Sequence, residues 1–123
     1  MFDYHRFFLD NGLEVIVHED SSSKIAVFNL LYKVGSRFEQ PGKTGLAHFF
    51  EHLMFGSSAH VPEFDRELER VGGSCNAFTS PDITNYYMTL PSSNLETAFW
   101  LESDRMAHLS LTEKTIETQR KVV

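Results

Sequence analysis

Apolar and polar positions change period several times along this chain, and each change predicts an element. Residues 6–9 and 13–18 are short apolar-rich runs joined through Asp10-Asn11-Gly12. Asn-Gly is the preferred pair for a tight hairpin turn because both residues tolerate positive φ. In the second run Leu13, Val15 and Val17 alternate with Glu14, Ile16 and His18, the pattern of a half-buried strand. Ser21-Ser22-Ser23 predicts a loop, and the nearly unbroken apolar run 25–34 predicts a central strand. Residues 35–45 read as a loop turning at Pro41-Gly42. Residues 46–55 read as a helix that is apolar almost all round, which predicts burial. Pro62 stands where a first helical residue belongs, and Gly72-Gly73 closes the helix that follows. Residues 75–80 and 83–90 predict two strands around Pro81-Asp82. Ser93 and Glu96 have capping-box spacing before a helix expected to bury Leu95, Ala98, Phe99 and Met106. Ser110 or Thr112 starts one more helix, which reaches Lys121-Val122-Val123 without a Gly, Asn or Pro to end it. That predicts a chain that continues in the natural protein.

Composition narrows the picture. The 123 residues suffice for one domain, 41% hydrophobic and 23% charged, as in ordinary soluble globular proteins. Eleven Phe residues are a heavy aromatic load and point to a well-filled core or an apolar groove. The net charge of −6, with signs interspersed, argues against a nucleic-acid binder. Cys75 is the single cysteine, which excludes an internal disulfide and a thiolate-based structural zinc site; it reads as a small buried residue. No apolar stretch reaches the roughly 20 residues of a membrane span. The N-terminus shows no basic region followed by an apolar run, so no signal peptide is visible. The expected setting is a soluble protein of the cytoplasm or periplasm, and a single Cys also fits a mitochondrial matrix.

The chemistry concentrates in His48-Phe49-Phe50-Glu51-His52. On a helix, residues four apart lie about 40° apart around the axis and one turn along it. His48 and His52 can therefore aim imidazole nitrogens at one zinc ion. Glu51, three residues after His48, lies on the same side and can reach a metal-bound water as general base. A structural polar cluster is the bland alternative, but it would place an unpaired carboxylate on the most apolar helix of the chain, at a cost of several kcal/mol. The order H-x-x-E-H, with Glu before the second His, is the inverzincin signature. His5, His18, His60 and His108 lie at no ligand spacing to this motif and read as surface or packing residues. Arg37 and Glu39 either pair near the site or hold a loop.

From about Phe7 onward the sequence resembles the N-terminal domain of the pitrilysin/insulysin family, which includes mitochondrial processing peptidase. The resemblance rests on Asp10-Asn11-Gly12-Leu13, Val34-Gly35-Ser36-Arg37 with Glu39 and Gly42, and Thr44-Gly45-Leu46-Ala47-His48. It continues through Met54-Phe55-Gly56-Ser57, Gly72-Gly73, Asn76-Ala77-Phe78-Thr79-Ser80, Asp82-Ile83-Thr84, Tyr86-Tyr87 and Asp104-Arg105-Met106. It implies an α+β domain, with a mixed, largely antiparallel sheet packed with helices, of which residues 1–123 form the N-terminal part. It implies one Zn2+ held by His48 and His52, with Glu51 as general base. It also implies that Asn76, Ala77 and Phe78 form an edge strand docking extended peptides, by main-chain pairing, beside the metal. The family's third ligand, a Glu on a later helix, falls just past Val123; Glu113 and Glu117 are out of register for it.

The function so implied is hydrolysis of peptide bonds by a zinc-bound hydroxide. The expected partners are a peptide or unfolded-protein substrate and the C-terminal remainder of the peptidase or a homologous subunit. The 123 residues alone are expected to be inactive. Two alternatives stay open: a non-catalytic, partner-binding family member, and an S-ribosylhomocysteine lyase-like enzyme. The lyase resembles the family in fold but needs cysteines at its site, and only Cys75 is present.

Overall fold

The first turn is one residue longer than the Asn-Gly pair predicts. In the computed structural model, which describes residues 1–123, β1 (His5–Phe8) and β2 (Glu14–Val17) form an antiparallel hairpin. Gly12 alone in the turn takes a positive φ, 87°. Its N–H donates to the Leu9 carbonyl at 2.9 Å, and the Leu9 N–H donates to the Leu13 carbonyl at 2.9 Å. This is a three-residue loop with Gly12 at the left-handed bulge position. Asn11 keeps a negative φ and uses its side chain on the turn instead, with Oδ1 accepting the Leu13 N–H at 3.0 Å. The hairpin pairs only with itself. The half-burial predicted for residues 13–18 is therefore only partly reached: of the expected inward set Val15 is half-buried, while Leu13 and Val17 stay 40% and 38% exposed.

The main sheet holds β3 (Ile25–Tyr32), β4 (Ser74–Thr79) and β5 (Thr84–Pro91) in the order β3-β5-β4, and all its pairings are antiparallel. The run 25–34 thus forms an edge and β5 is the central strand. Helices cover one face, to which β5 presents Tyr86, Met88 and Leu90. The opposite face leaves Ile25, Val27, Leu31 and Phe78 exposed. An apolar run records two apolar faces, but it does not say which neighbours cover them.

Four helices follow the predicted order: α1 (Leu46–Leu53), α2 (Phe64–Arg70), α3 (Leu95–His108) and α4 (Glu113–Val122). Helix α2 begins two residues after Pro62, which stays outside it. It ends in a Schellman motif, with Gly72 at φ 77°. There the Gly73 N–H reaches the Leu68 carbonyl and the Gly72 N–H the Glu69 carbonyl, each at 3.0 Å. The capping box expected from Ser93 and Glu96 does not form. Ser93 lies in a 3₁₀ turn (Ser92–Asn94), and Asn94 precedes the helix while its amide donates to the Val71 carbonyl at 2.9 Å. The buried line of α3 is Ala98, Leu101, Glu102 and Arg105, at helical spacing. Phe99 and Met106 fall outside it and are exposed, contrary to expectation. Thr112 caps α4 through a box with Thr115.

The core joins Val61, Phe64 and Leu68 to Met88 and Leu90 of β5 and to Ala98 and Leu101 of α3. Beside it lies a charged centre. Arg105 Nε and Nη2 both donate to the Glu102 carboxylate at 2.7 Å, with both side chains buried. The guanidinium carbon stands 4.2 Å from the Phe64 ring centroid and 4.7 Å from that of Tyr86, and Nη1 donates to the Met54 carbonyl at 3.4 Å. Arg105→Ala would leave the Glu102 carboxylate buried without its partner. The expected loss is about 3–5 kcal/mol in urea unfolding, and a loss under about 1 kcal/mol would show that the pair is not a structural centre.

Candidate metal centre and adjoining cleft

Helix α1 depends on residues well before it. Gly45 precedes it at φ 90° and has no side chain to cap it. Glu39 fills the place: Oε2 accepts the Gly45 N–H at 2.9 Å and Oε1 the Ala47 N–H at 2.8 Å. An anion there satisfies two free donors and complements the helix dipole. The Ala47 amide first, then that of Gly45, holds the Glu39 carboxyl below its ordinary range. Arg37 does not pair with Glu39; its Nη1 lies 2.9 Å from Asp82 Oδ1. The 3₁₀ turn Ser36–Phe38 is fastened to the β4–β5 turn by N–H donation from Ser36 to the Ser80 carbonyl at 3.1 Å and from Arg37 to that of Pro81 at 2.9 Å. Gly35 permits this approach, since a Cβ on it would lie 2.1 Å from the Ser80 oxygen.

The helix ends at Leu53, short of Phe55, and burial all round is not what forms. Glu51 and Leu53, about 200° apart around the helix, are both buried, Glu51 against β4 through Thr79. Leu46 and Phe50 are 42% and 51% exposed, on a groove shared with Val34 and Phe38. Elsewhere on the helix, His48 Nε2 and His52 Nε2 converge to 3.1 Å, with ring planes 76° apart. Two nitrogens each ~2.05 Å from one zinc in tetrahedral geometry stand about 3.3 Å apart. The pair therefore fits as two donors to one ion, and an imidazole–imidazole hydrogen bond has the same reach. No third His, Cys, Asp or Glu joins them in a metal-holding group. Glu51 lies beside them with only 9% of its surface exposed, and the Thr79 hydroxyl donates to its Oε2.

A cleft of about 530 Å³ collects these groups: His48 and Glu51 from α1, and Ala77, Phe78 and Thr79 from β4. Strand β4 is a sheet edge. The Ala77 N–H turns to that edge, where Asn76 Oδ1 accepts it at 2.8 Å. Asn76 itself does not line the cleft. Cys75 is half-buried, its thiol donating to Asp65 Oδ1 at 3.3 Å. Burial, and then the Asp65 carboxylate, push that thiol up to about 12, so it remains protonated. Sequence reasoning missed the roles of Glu39 and Thr79. The signal available for Thr79 was the need of a buried Glu51 for a partner; for Glu39 it was a helix start without a capping side chain.

The Glu39 cap gives a pH dependence. A carboxyl depressed in the folded state contributes its stability above the unfolded value of about 4.3 and loses it as pH falls through the lower folded value. The amide signals of Gly45 and Ala47 are expected to titrate together, below the ordinary Glu range, and Glu39→Gln to abolish that titration. Signals that stay flat would remove Glu39 from the cap.

A family model described as insulinase (peptidase family M16) matches residues 14–123. The zinc protease PqqE of Helicobacter pylori is 41% identical over 118 residues, covering 94% of this chain and 27% of that protein. The probable mitochondrial-processing peptidase subunit beta of Arabidopsis thaliana is 34% identical over 117 residues, covering 94% of this chain and 22% of that one. The crystal structure of a protease from Helicobacter pylori superposes with a TM-score of 0.93 at 37% identity, over 99% of this chain and 30% of the other. The chain thus spans less than a third of the length of each of these proteins. The extent of the family match, residues 14–123 with the H-x-x-E-H helix inside it, sets the lyase alternative aside: the chain belongs to the insulinase family of peptidases, M16.

Proposed function

We propose that this chain carries two zinc ligands, His48 and His52, and the general base, Glu51, of a metalloendopeptidase that cuts extended peptides. The observation behind this reading is the 3.1 Å convergence of the two Nε2 atoms next to a cleft that His48 and Glu51 share with an edge strand. Zinc supplies Lewis acidity there, lowering the pKa of water and polarising a carbonyl oxygen.

The chain's own groups do the rest. Thr79 holds Glu51 Oε2, which leaves Oε1 to take the proton of the attacking water and pass it to the leaving amine as the C–N bond breaks. The free edge of β4 pairs with the substrate main chain and holds the scissile carbonyl against the cleft. Before that pairing, the Asn76 carboxamide has to swing off the Ala77 N–H. Phe78, 46% exposed, offers an apolar contact beside it. The third ligand is a Glu beyond Val123, on a continuation of α4, which packs on α1. The remaining domains or a homologous subunit complete the site. The 22–30% of relatives' length spanned here accords with that, and so does the subunit beta designation of the Arabidopsis protein.

In the full-length peptidase, Glu51→Gln is expected to keep the zinc and lose turnover by roughly 10²-fold or more. Unchanged turnover would sink the role given to Glu51, and absence of turnover before any substitution would favour the partner-binding alternative. Lengthening the chain by about 15 residues past Val123 is expected to bring much tighter zinc binding at the His48–His52 pair, a gain that His48→Ala/His52→Ala should remove. Equally tight binding without the added residues would mean that a group already present completes the site.

A further inference from the structure

Away from the cleft, the loop that leaves α1 is bound to the end of α3. Ser58 and Leu109 form an isolated antiparallel bridge. It is flanked by N–H donation from Ala59 to the His108 carbonyl at 3.0 Å and from Ser110 to the Ser57 carbonyl at 2.9 Å. This short ladder brings together His60 and His108, which no sequence spacing connects. Their ring centroids lie 5.6 Å apart with planes at 78°. The His48–His52 pair has nearly the same mutual angle, 76°, at a closer 4.7 Å.

The ring of His60 is oriented from behind. Asp104 Oδ1 lies 2.6 Å from His60 Nδ1, while Oδ2 accepts the His60 N–H at 3.1 Å and the Ser58 hydroxyl at 2.5 Å. An anion at Nδ1 fixes the proton there and leaves the lone pair on Nε2, on a side chain 67% exposed. A carboxylate behind an imidazole is the arrangement that orients histidine ligands in metal sites. His108 follows Asp104 by one helical turn, on the same face of α3, with an exposed ring.

We propose that His60 and His108, with Asp104 as the orienting carboxylate, form a second divalent transition-metal site, separate from the His48–His52 pair. A ring centroid stands about 3.2 Å from a zinc bound through its nitrogen, so two rings sharing one ion have centroids roughly 4.5–6 Å apart. The observed 5.6 Å lies in that range. Two imidazoles with open positions suit Zn2+, Cu2+ or Ni2+ and not Mg2+ or Ca2+. A metal held there staples the loop after α1 to the end of α3 and leaves water in its other positions.

The test is Zn2+ titration of His48→Ala/His52→Ala, in which the first pair cannot contribute, with circular dichroism to confirm the fold. This variant is expected to bind one Zn2+. Adding His60→Ala or His108→Ala, both exposed, should each weaken that binding by roughly tenfold or more. With Co2+ as probe, paramagnetically shifted ring signals should come from both His60 and His108. Zinc binding that neither substitution changes, or that only one of them changes, would overturn the two-histidine site.

Discussion

The burial of Arg105 is the constraint on which most of this structure depends. A guanidinium cannot leave water without a counter-ion and satisfied donors, and α3 supplies the counter-ion three residues away in Glu102. Once the pair is buried, its surroundings are largely settled. Phe64 of α2 and Tyr86 of β5 present ring faces to the cation, and the Met54 carbonyl at the end of α1 takes a remaining donor. Two helices, the central strand and the exit of a third helix therefore meet at one side chain. The apolar core of Val61, Phe64, Leu68, Met88, Leu90, Ala98 and Leu101 adjoins it. That core is non-directional, whereas the hydrogen bonds of Arg105 fix which carbonyl and which carboxylate must arrive.

Next to that centre, α1 is a short helix held at both ends by charge. Glu39 closes its N-terminus through two backbone amides, and Arg105 reaches the carbonyl of the residue that follows Leu53. Between these ties the helix spans eight residues, too few to persist on propensity alone. Thr79 adds a lateral tie by donating to Glu51. The geometry of His48 and His52 is thus prepared by groups outside the pair itself. Their 3.1 Å convergence follows from a helix repeat fixed in place, and not from a completed ligand set.

The parts legible in the sequence are those that a local repeat determines. His48, Glu51 and His52 share a face because the helix period places them there, and Thr112 and Gly72 act as helix boundaries because caps and left-handed residues are local chemistry. The parts that are not legible depend mostly on partners distant in sequence. The run 25–34 has the composition of a central strand but forms an edge, since its neighbour β5 comes some fifty residues later. Asn11 is a residue type that favours positive φ, yet it spends its side chain on the Leu13 amide, a choice between two local options of similar energy. Phe99 and Met106 belong to the core by residue type. The face of α3 is decided instead by Arg105 and Glu102, which composition alone assigns to the surface. Glu39, Thr79, His60 and His108 acquire their roles only when loops and strands close on one another.

Only seventeen of 123 residues are buried, while Val27, Phe38, Phe50 and Val34 each remain more than half exposed. These lie on the bare face of the sheet and along the groove beside α1, two surfaces that a free-standing domain would ordinarily cover. Hydrophobic burial is therefore the unfinished part of this fold, and polar fastening is the finished part: no buried side-chain nitrogen or oxygen lacks a partner. The difference has a physical origin. Directional bonds such as Glu39 to Gly45 and Arg105 to Glu102 form between residues already present and saturate one by one. Apolar faces accept any further surface of matching shape. A chain spanning less than a third of its relatives' length can therefore hold its histidines in place and still leave its apolar faces open.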